Sequence, residues 1–171
     1  GRLFWFQQKP TQEEENGGGG GGVGGLWEDF LVGEDIVGDE PDQRYGSSME
    51  MSSTGTTVVV GVPRTVRNSD YSGFVDTWSY SPQGGGASQT GFPVTGVHPL
   101  EEFGTDVSMD WSGTSFVATG RNSYNNNDNN NNNNNYDENT NITGSARVYV
   151  ISLGVWRMLG DEIAGLPLGG Q

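Results

Sequence analysis

The sequence predicts an all-β protein made of antiparallel four-stranded units repeated in tandem. Three observations predict it. Residues 103–120, FGTDVSMDWSGTSFVATG, read as an alternating strand, a tight turn and an apolar strand. Residues 45–62, YGSSMEMSSTGTTVVVGV, repeat that pattern: aligning Gly55 with Gly113 sets Tyr45 on Phe103, Gly46 on Gly104 and Met51 on Met109. A glycine-initiated strand with an aromatic residue in sixth place occurs three times, in GRLFWFQQ, GFVDTWSY and GSARVYVI, where Phe6, Trp78 and Tyr149 hold that place.

Each element has a local reason. Val107, Met109 and Trp111 fall on one face of an extended strand, because strand side chains alternate. Residues 110–113 make a reversal, with Gly113 free to take positive φ. Val58-Val59-Val60 and its counterpart Phe116-Val117-Ala118 are continuous apolar runs, the pattern of a strand buried on both faces. A further element carries Gly33, Ile36 and Gly38, matched by Gly91, Val94 and Gly96 and again by Gly160, Ile163 and Gly165. Trp27 and Trp156 open it in two copies, and the middle copy lacks the tryptophan. The units divide as 1–38 (a second half with a glycine-rich loop), 39–96 (complete) and 97–171 (complete, with an asparagine-rich insertion).

The two low-complexity segments read as loops. A run of six glycines follows Glu13-Glu14-Glu15, and residues 121–143 hold a long asparagine tract. A phosphate-binding loop needs a strand before, a helix after and a Lys-Ser/Thr pair, and the glycine run has none of these.

The 171 residues include 22 Asp and Glu against 8 Lys and Arg, a formal net charge of −14. That balance argues against a nucleic-acid backbone or an anionic membrane surface as partner. With no Cys, disulfides and Cys-ligated zinc are excluded. No run of 18 apolar residues is present, so no helical membrane span is expected.

The order aromatic-Gly, Val-rich strand with Gly-x-Pro, Ser-Gly and Gly-x-x-Ile-x-Gly resembles the FG-GAP repeats of integrin-alpha-like β-propellers, in the cell-surface form of algae and other microbes. It is carried by Tyr45-Gly46, Gly61-Val62-Pro63, Ser72-Gly73, Phe103-Gly104 and Gly144. The resemblance implies blades of a propeller-like array, about two and a half in this chain. It also implies an extracellular or cell-surface role without catalysis. The sequence departs from that family at the calcium loops: residues 52–55 and 110–113 are too short, and Asp110 is their only carboxylate. The second copy also ends Thr119-Gly120-Arg121, without the proline.

Candidate sites are few. Asp128, Asp137 and Glu138 offer oxygens for calcium, against the plain alternative of a solvated acidic loop, and no other cofactor is expected. Asn141 begins an Asn-Ile-Thr glycosylation sequon. Trp111 stands where the other copy has Ser53, which makes it the candidate for stacking against a sugar, whereas the remaining tryptophans suit core packing. The lone His98 reads as a loop residue, and no Gly-x-Ser-x-Gly elbow supports a triad. Glu34-Asp35 and Asp161-Glu162 are formal carboxylate pairs, but they hold equivalent repeat positions, as a structural turn does and a unique catalytic pair does not. The expected function is therefore structural or adhesive, through packing with further units or with copies of itself. A carbohydrate- or calcium-dependent binding module is the alternative.

Overall fold

The computed structural model describes residues 2–3, 6–7, 30–31, 36–65, 71–81, 86–123 and 143–165. In chain order the strands are β1 (Arg2–Leu3), β2 (Phe6–Gln7), β3 (Phe30–Leu31), β4 (Ile36–Val37), β5 (Ser48–Met51), β6 (Thr57–Val62) and β7 (Phe74–Ser81). They continue as β8 (Gly86–Gln89), β9 (Val94–Thr95), β10 (Asp106–Met109), β11 (Ser115–Ser123), β12 (Thr143–Ser152), β13 (Val155–Met158) and β14 (Ile163–Ala164). No helix occurs among the described residues, and every ladder between these strands is antiparallel.

Two larger sheets repeat one plan. Sheet I runs β5-β6-β7-β8 and sheet II runs β10-β11-β12-β13. The outer strand of each is split. In sheet I, β8 pairs with the far half of β7 and β9 with its start. In sheet II, β13 and β14 divide β12 the same way. Gly91 and Gly160, both at positive φ, lie between the two pieces, where L-side chains are disfavoured. At the start of the chain β1 pairs with β4 and β2 with β3.

The register explains the core. In β6, Val58, Val60 and Val62 point to one face and join Ile36, Tyr45 and Phe74, with Trp78, Tyr80 and Ala87 partly buried beside them. Val59 points the other way and, with Val75, meets Phe103, Val107, Phe116, Ala118, Tyr149 and Trp156 of the next unit. Val59 and Val60 are both fully buried, as the apolar run predicts. In β11 only one face is so covered: Phe116 and Ala118 are buried, while Val117 is half-buried. Phe116 stacks on Tyr149 at 5.2 Å between centroids and meets Trp156 edge-on at 4.7 Å. Fully burying a side chain of this size contributes about 1.5–3 kcal/mol.

Candidate functional site

The junction between the two sheets is built from backbone as much as from side chains. Phe103 bridges to Gly73, and its N–H donates to the Ser72 carbonyl at 2.8 Å. A Cβ on Gly73 would stand 2.3 Å from the Phe103 carbonyl oxygen, and one on Gly61 would stand 2.1 Å from that of Gly104. Glycine is therefore required at both places by close approach. Ser48 Oγ donates to the Gly104 carbonyl at 2.9 Å. The Trp156 indole N–H reaches across to Thr77 Oγ1 (2.6 Å) and the Thr90 carbonyl (3.0 Å). On sheet II the positions of Gly61 and Ser48 carry Thr119 and Asp106, so the seat for such a carbonyl is not repeated on its far face.

Sheet II encloses a buried charged network. Arg147 and Glu101 are 1% and 0% exposed. Arg147 Nη2 lies 2.7 Å from both Glu101 Oε1 and Glu162 Oε2, and its Nε donates to Glu162 Oε2 at 2.8 Å. The Nη2 contacts are ionic rather than well-angled hydrogen bonds, and Nη1 is buried without a hydrogen-bond partner. The guanidinium carbon sits 5.1 Å from the centroid of the Phe103 ring. Burial opposes its charge, but the hydrogen bond to Glu162 and the charges of Glu101 and Glu162 outweigh this and hold its pKa above the ordinary value. Glu101 also accepts from Ser145 Oγ and from the N–H groups of Val97 and His98.

Sheet I solves the same place differently. Gln43 occupies the position of Glu101: its amide donates to Asp39 Oδ1 at 3.1 Å and accepts from the Asp39 N–H at 2.8 Å. Asp76 occupies the position of Arg147, opposite Val60 as Arg147 is opposite Ala118. Tyr45 OH donates to Asp76 Oδ2 (3.1 Å) and accepts from Trp78 Nε1 (2.8 Å), and Gln89 Nε2 donates to Asp76 Oδ1 (2.9 Å). Burial, and then the Asp76 charge, push the Tyr45 hydroxyl well above the usual tyrosine range. Beside these groups lies a cavity of about 270 Å³, lined by Val37, Asp39, Tyr45, Phe74, Asp76, Trp78, Gln89 and Pro93.

Those residues singled out from the sequence that lie among the described residues are not gathered into one centre. Trp111 is 84% exposed at the β10–β11 turn, off the strand face it was expected to share with Val107 and Met109. Its carbonyl accepts from the N–H and Oγ of Ser53 in the equivalent turn of sheet I. Trp156 is core, as expected, and Trp78 is half-buried. His98 Nε2 lies 3.5 Å from Glu162 Oε2. Glu162 is held by Arg147, which gives the Asp161-Glu162 pair a structural tie. Asp110 accepts from Ser112 Oγ and from the N–H groups of Ser112, Thr114 and Ser115, so its own turn uses the carboxylate. No cluster of metal-ligating side chains occurs among the described residues. Asp128, Asp137, Glu138, Asn141, Trp5, Trp27 and Glu34-Asp35 lie outside the described residues. Sequence reading missed the Arg147 network. The available signal was a cation in the middle of an apolar strand, on the same face as Tyr149, in a chain with only 8 Lys and Arg.

Compared with known proteins, the chain matches no family model and no curated protein.

Proposed function

We propose that this chain is a non-catalytic structural or adhesive repeat protein of the cell surface or extracellular space, acting through unit-to-unit and chain-to-chain packing. We read the units as blades of an FG-GAP-type, propeller-like array. The observation that carries this reading is the junction at Phe103-Gly104. One unit closes on the next through an aromatic-glycine segment that needs Gly61 and Gly73 in its neighbour. The exposed apolar groups at the other end, Val155 and Ile163, with half-buried Val117 and Val148 behind them, support association beyond the chain. The test is light scattering of the purified protein across a range of concentrations. Species larger than the 18.3 kDa chain are expected. A compact monomer throughout contradicts the assembly reading.

A second reading, a glycan-binding module, is favoured by one observation, the exposure of the Trp111 indole at a turn tip. A glycan array on the wild type and on Trp111→Ser separates the two.

A further inference from the structure

We propose that the far face of sheet II is a self-recognition surface, on which a second copy of this chain docks with the same face about a two-fold axis. This rests on the reading of chain-to-chain packing and gives that packing one site. The corresponding face of sheet I shows such a surface when covered: Val59, Val75 and Thr77 are all buried beneath sheet II. Their counterparts Val117, Ala146 and Val148 are half-buried, and Ile163 beside them is 64% exposed. Three changes make this face unfit for a further unit docked as sheet II docks on sheet I. Gly61 becomes Thr119 and Ser48 becomes Asp106, which removes the seat for an aromatic-glycine carbonyl. Thr77, which accepts from the Trp156 indole, becomes Val148. The glycine-floored recess is gone, and two valines stand at the centre of the face.

The charges of this face suit a copy of itself. The chain carries −14 overall, yet Asp106 and Asp110 on this face are matched by Arg157 and by Arg121, which follows the irregularity after Gly120. Asp110 is engaged within its own turn. Asp106 and Arg157 are exposed and stand at opposite corners. Asp106 pairs with Thr119 and so lies level with Ala146, whereas Arg157 pairs with Val150, four residues along β12 and on the other edge. The two corners are therefore about 14 Å apart both along and across the strands. A two-fold axis on the other diagonal lays each Asp106 over the Arg157 of the other copy. It crosses the two sets of strands near a right angle, one of the two ways in which sheets pack. Val117 and Val148 then lie beside the axis and Ile163 on it, so apolar residues meet at the centre and charges fix the orientation at the rim. Such a contact uses the same patch on both copies and closes at two. A face about 20 Å on a side is small for a dimer, so the pair is expected only at high protein concentration.

Sedimentation equilibrium of the whole chain, from micromolar concentration to about 1 mM, reads the association. The expected result is a monomer–dimer equilibrium that levels off at two chains. Ile163→Lys and Val117→Lys leave the core face of sheet II untouched, and each should weaken association about tenfold or more with little change in the unfolding midpoint. Ile163→Lys, at the more exposed position, carries the test should Val117→Lys fail to fold. Arg157→Asp should also weaken association, and adding Asp106→Arg should restore it, because exchanged corners still meet across a two-fold axis. A wild type that stays monomeric to the highest concentration overturns this site together with the assembly reading. Larger species that persist unchanged in Ile163→Lys and Arg157→Asp overturn this site alone and leave assembly standing. Growth past two chains, or a charge exchange that fails to restore pairing, overturns the two-fold contact.

Discussion

The Trp156 indole nitrogen donates to Thr77 Oγ1 at 2.6 Å, joining the outer strand of sheet II to the centre of sheet I over 79 residues of chain. Its ring meanwhile lies edge-on to Phe116. One side chain thus supplies apolar burial and a directed polar contact to the same junction. Trp156→Phe keeps most of the burial and removes the donor, leaving Thr77 Oγ1 and the Thr90 carbonyl with only their hydrogen bond to each other. A loss of about 1–2 kcal/mol is expected. Trp156→Ala adds a cavity and should cost about 3–5 kcal/mol. Denaturant unfolding of both variants checks the difference.

Arg147 and Glu101 form a buried pair, so removing one partner strands the other. Arg147→Met is expected to cost about 3–5 kcal/mol, because Glu101 remains as a buried carboxylate. Adding Glu101→Gln should recover a large part of that loss. A double-mutant cycle by chemical denaturation measures the coupling, and additive losses would show that the pair is not one unit.

Gly61 and Gly144 occupy contrasting surroundings. A methyl on Gly61 meets the Gly104 carbonyl and Ser48 Oγ, whereas the nearest atom to one on Gly144 is the Gly120 carbonyl oxygen at 3.3 Å. Gly61→Ala should therefore force the sheets apart and cost about 1–3 kcal/mol or more. Gly144→Ala should be tolerated within a fraction of that. Thermal unfolding of the two variants makes the comparison.

The Asp110 carboxyl is held down to about 2, against an ordinary value of 3.8, by the Ser112 hydroxyl first and then by the Ser115, Ser112 and Thr114 N–H groups. A carboxyl depressed in the folded chain stabilises it above the unfolded pKa and ceases to do so as pH falls through the folded one. The β10–β11 turn should thus weaken between about pH 4 and pH 2. Asp110 is solvent-exposed, which keeps the effect small. Asp110→Asn should lower the unfolding midpoint slightly at pH 7, where the wild-type carboxylate is fully ionised, and flatten the pH dependence in that window.

Trp111 presents its indole to solvent, so Trp111→Ser should leave stability within about 0.5 kcal/mol of wild type. A larger loss would mean that the indole packs where the structure leaves it exposed. The same variant serves the glycan array as its control.

The repeat was legible because its strongest signals are backbone signals. Gly55 and Gly113 both take positive φ, and the apolar runs 58–60 and 116–118 do form equivalent central strands, one in each sheet. The all-β class follows from such patterns. The split outer strand was harder to read, since β9 and β14 are two residues each and carry little periodicity. The Arg147–Glu101 network escaped because its two members differ chemically from their counterparts Asp76 and Gln43. Alignment by likeness passes over positions where the role is kept and the charge is exchanged. Trp111 was half legible: its turn was read, but alternation along the strand does not extend into a reversal.

Tandem copies of one fold carry a hazard, because a segment of one copy can pair with the strands of another during folding. The opposed chemistries of the two sheets work against that mistake. If the stretch containing Glu101 settled on sheet I, it would bring a second carboxylate to the enclosed side that already holds Asp76. If the stretch containing Gln43 settled on sheet II, Arg147 would lose one of its two counter-ions. Each strand therefore rejects the wrong leader electrostatically, and the divergence between the copies acts as a proofreading device for the order in which the chain closes.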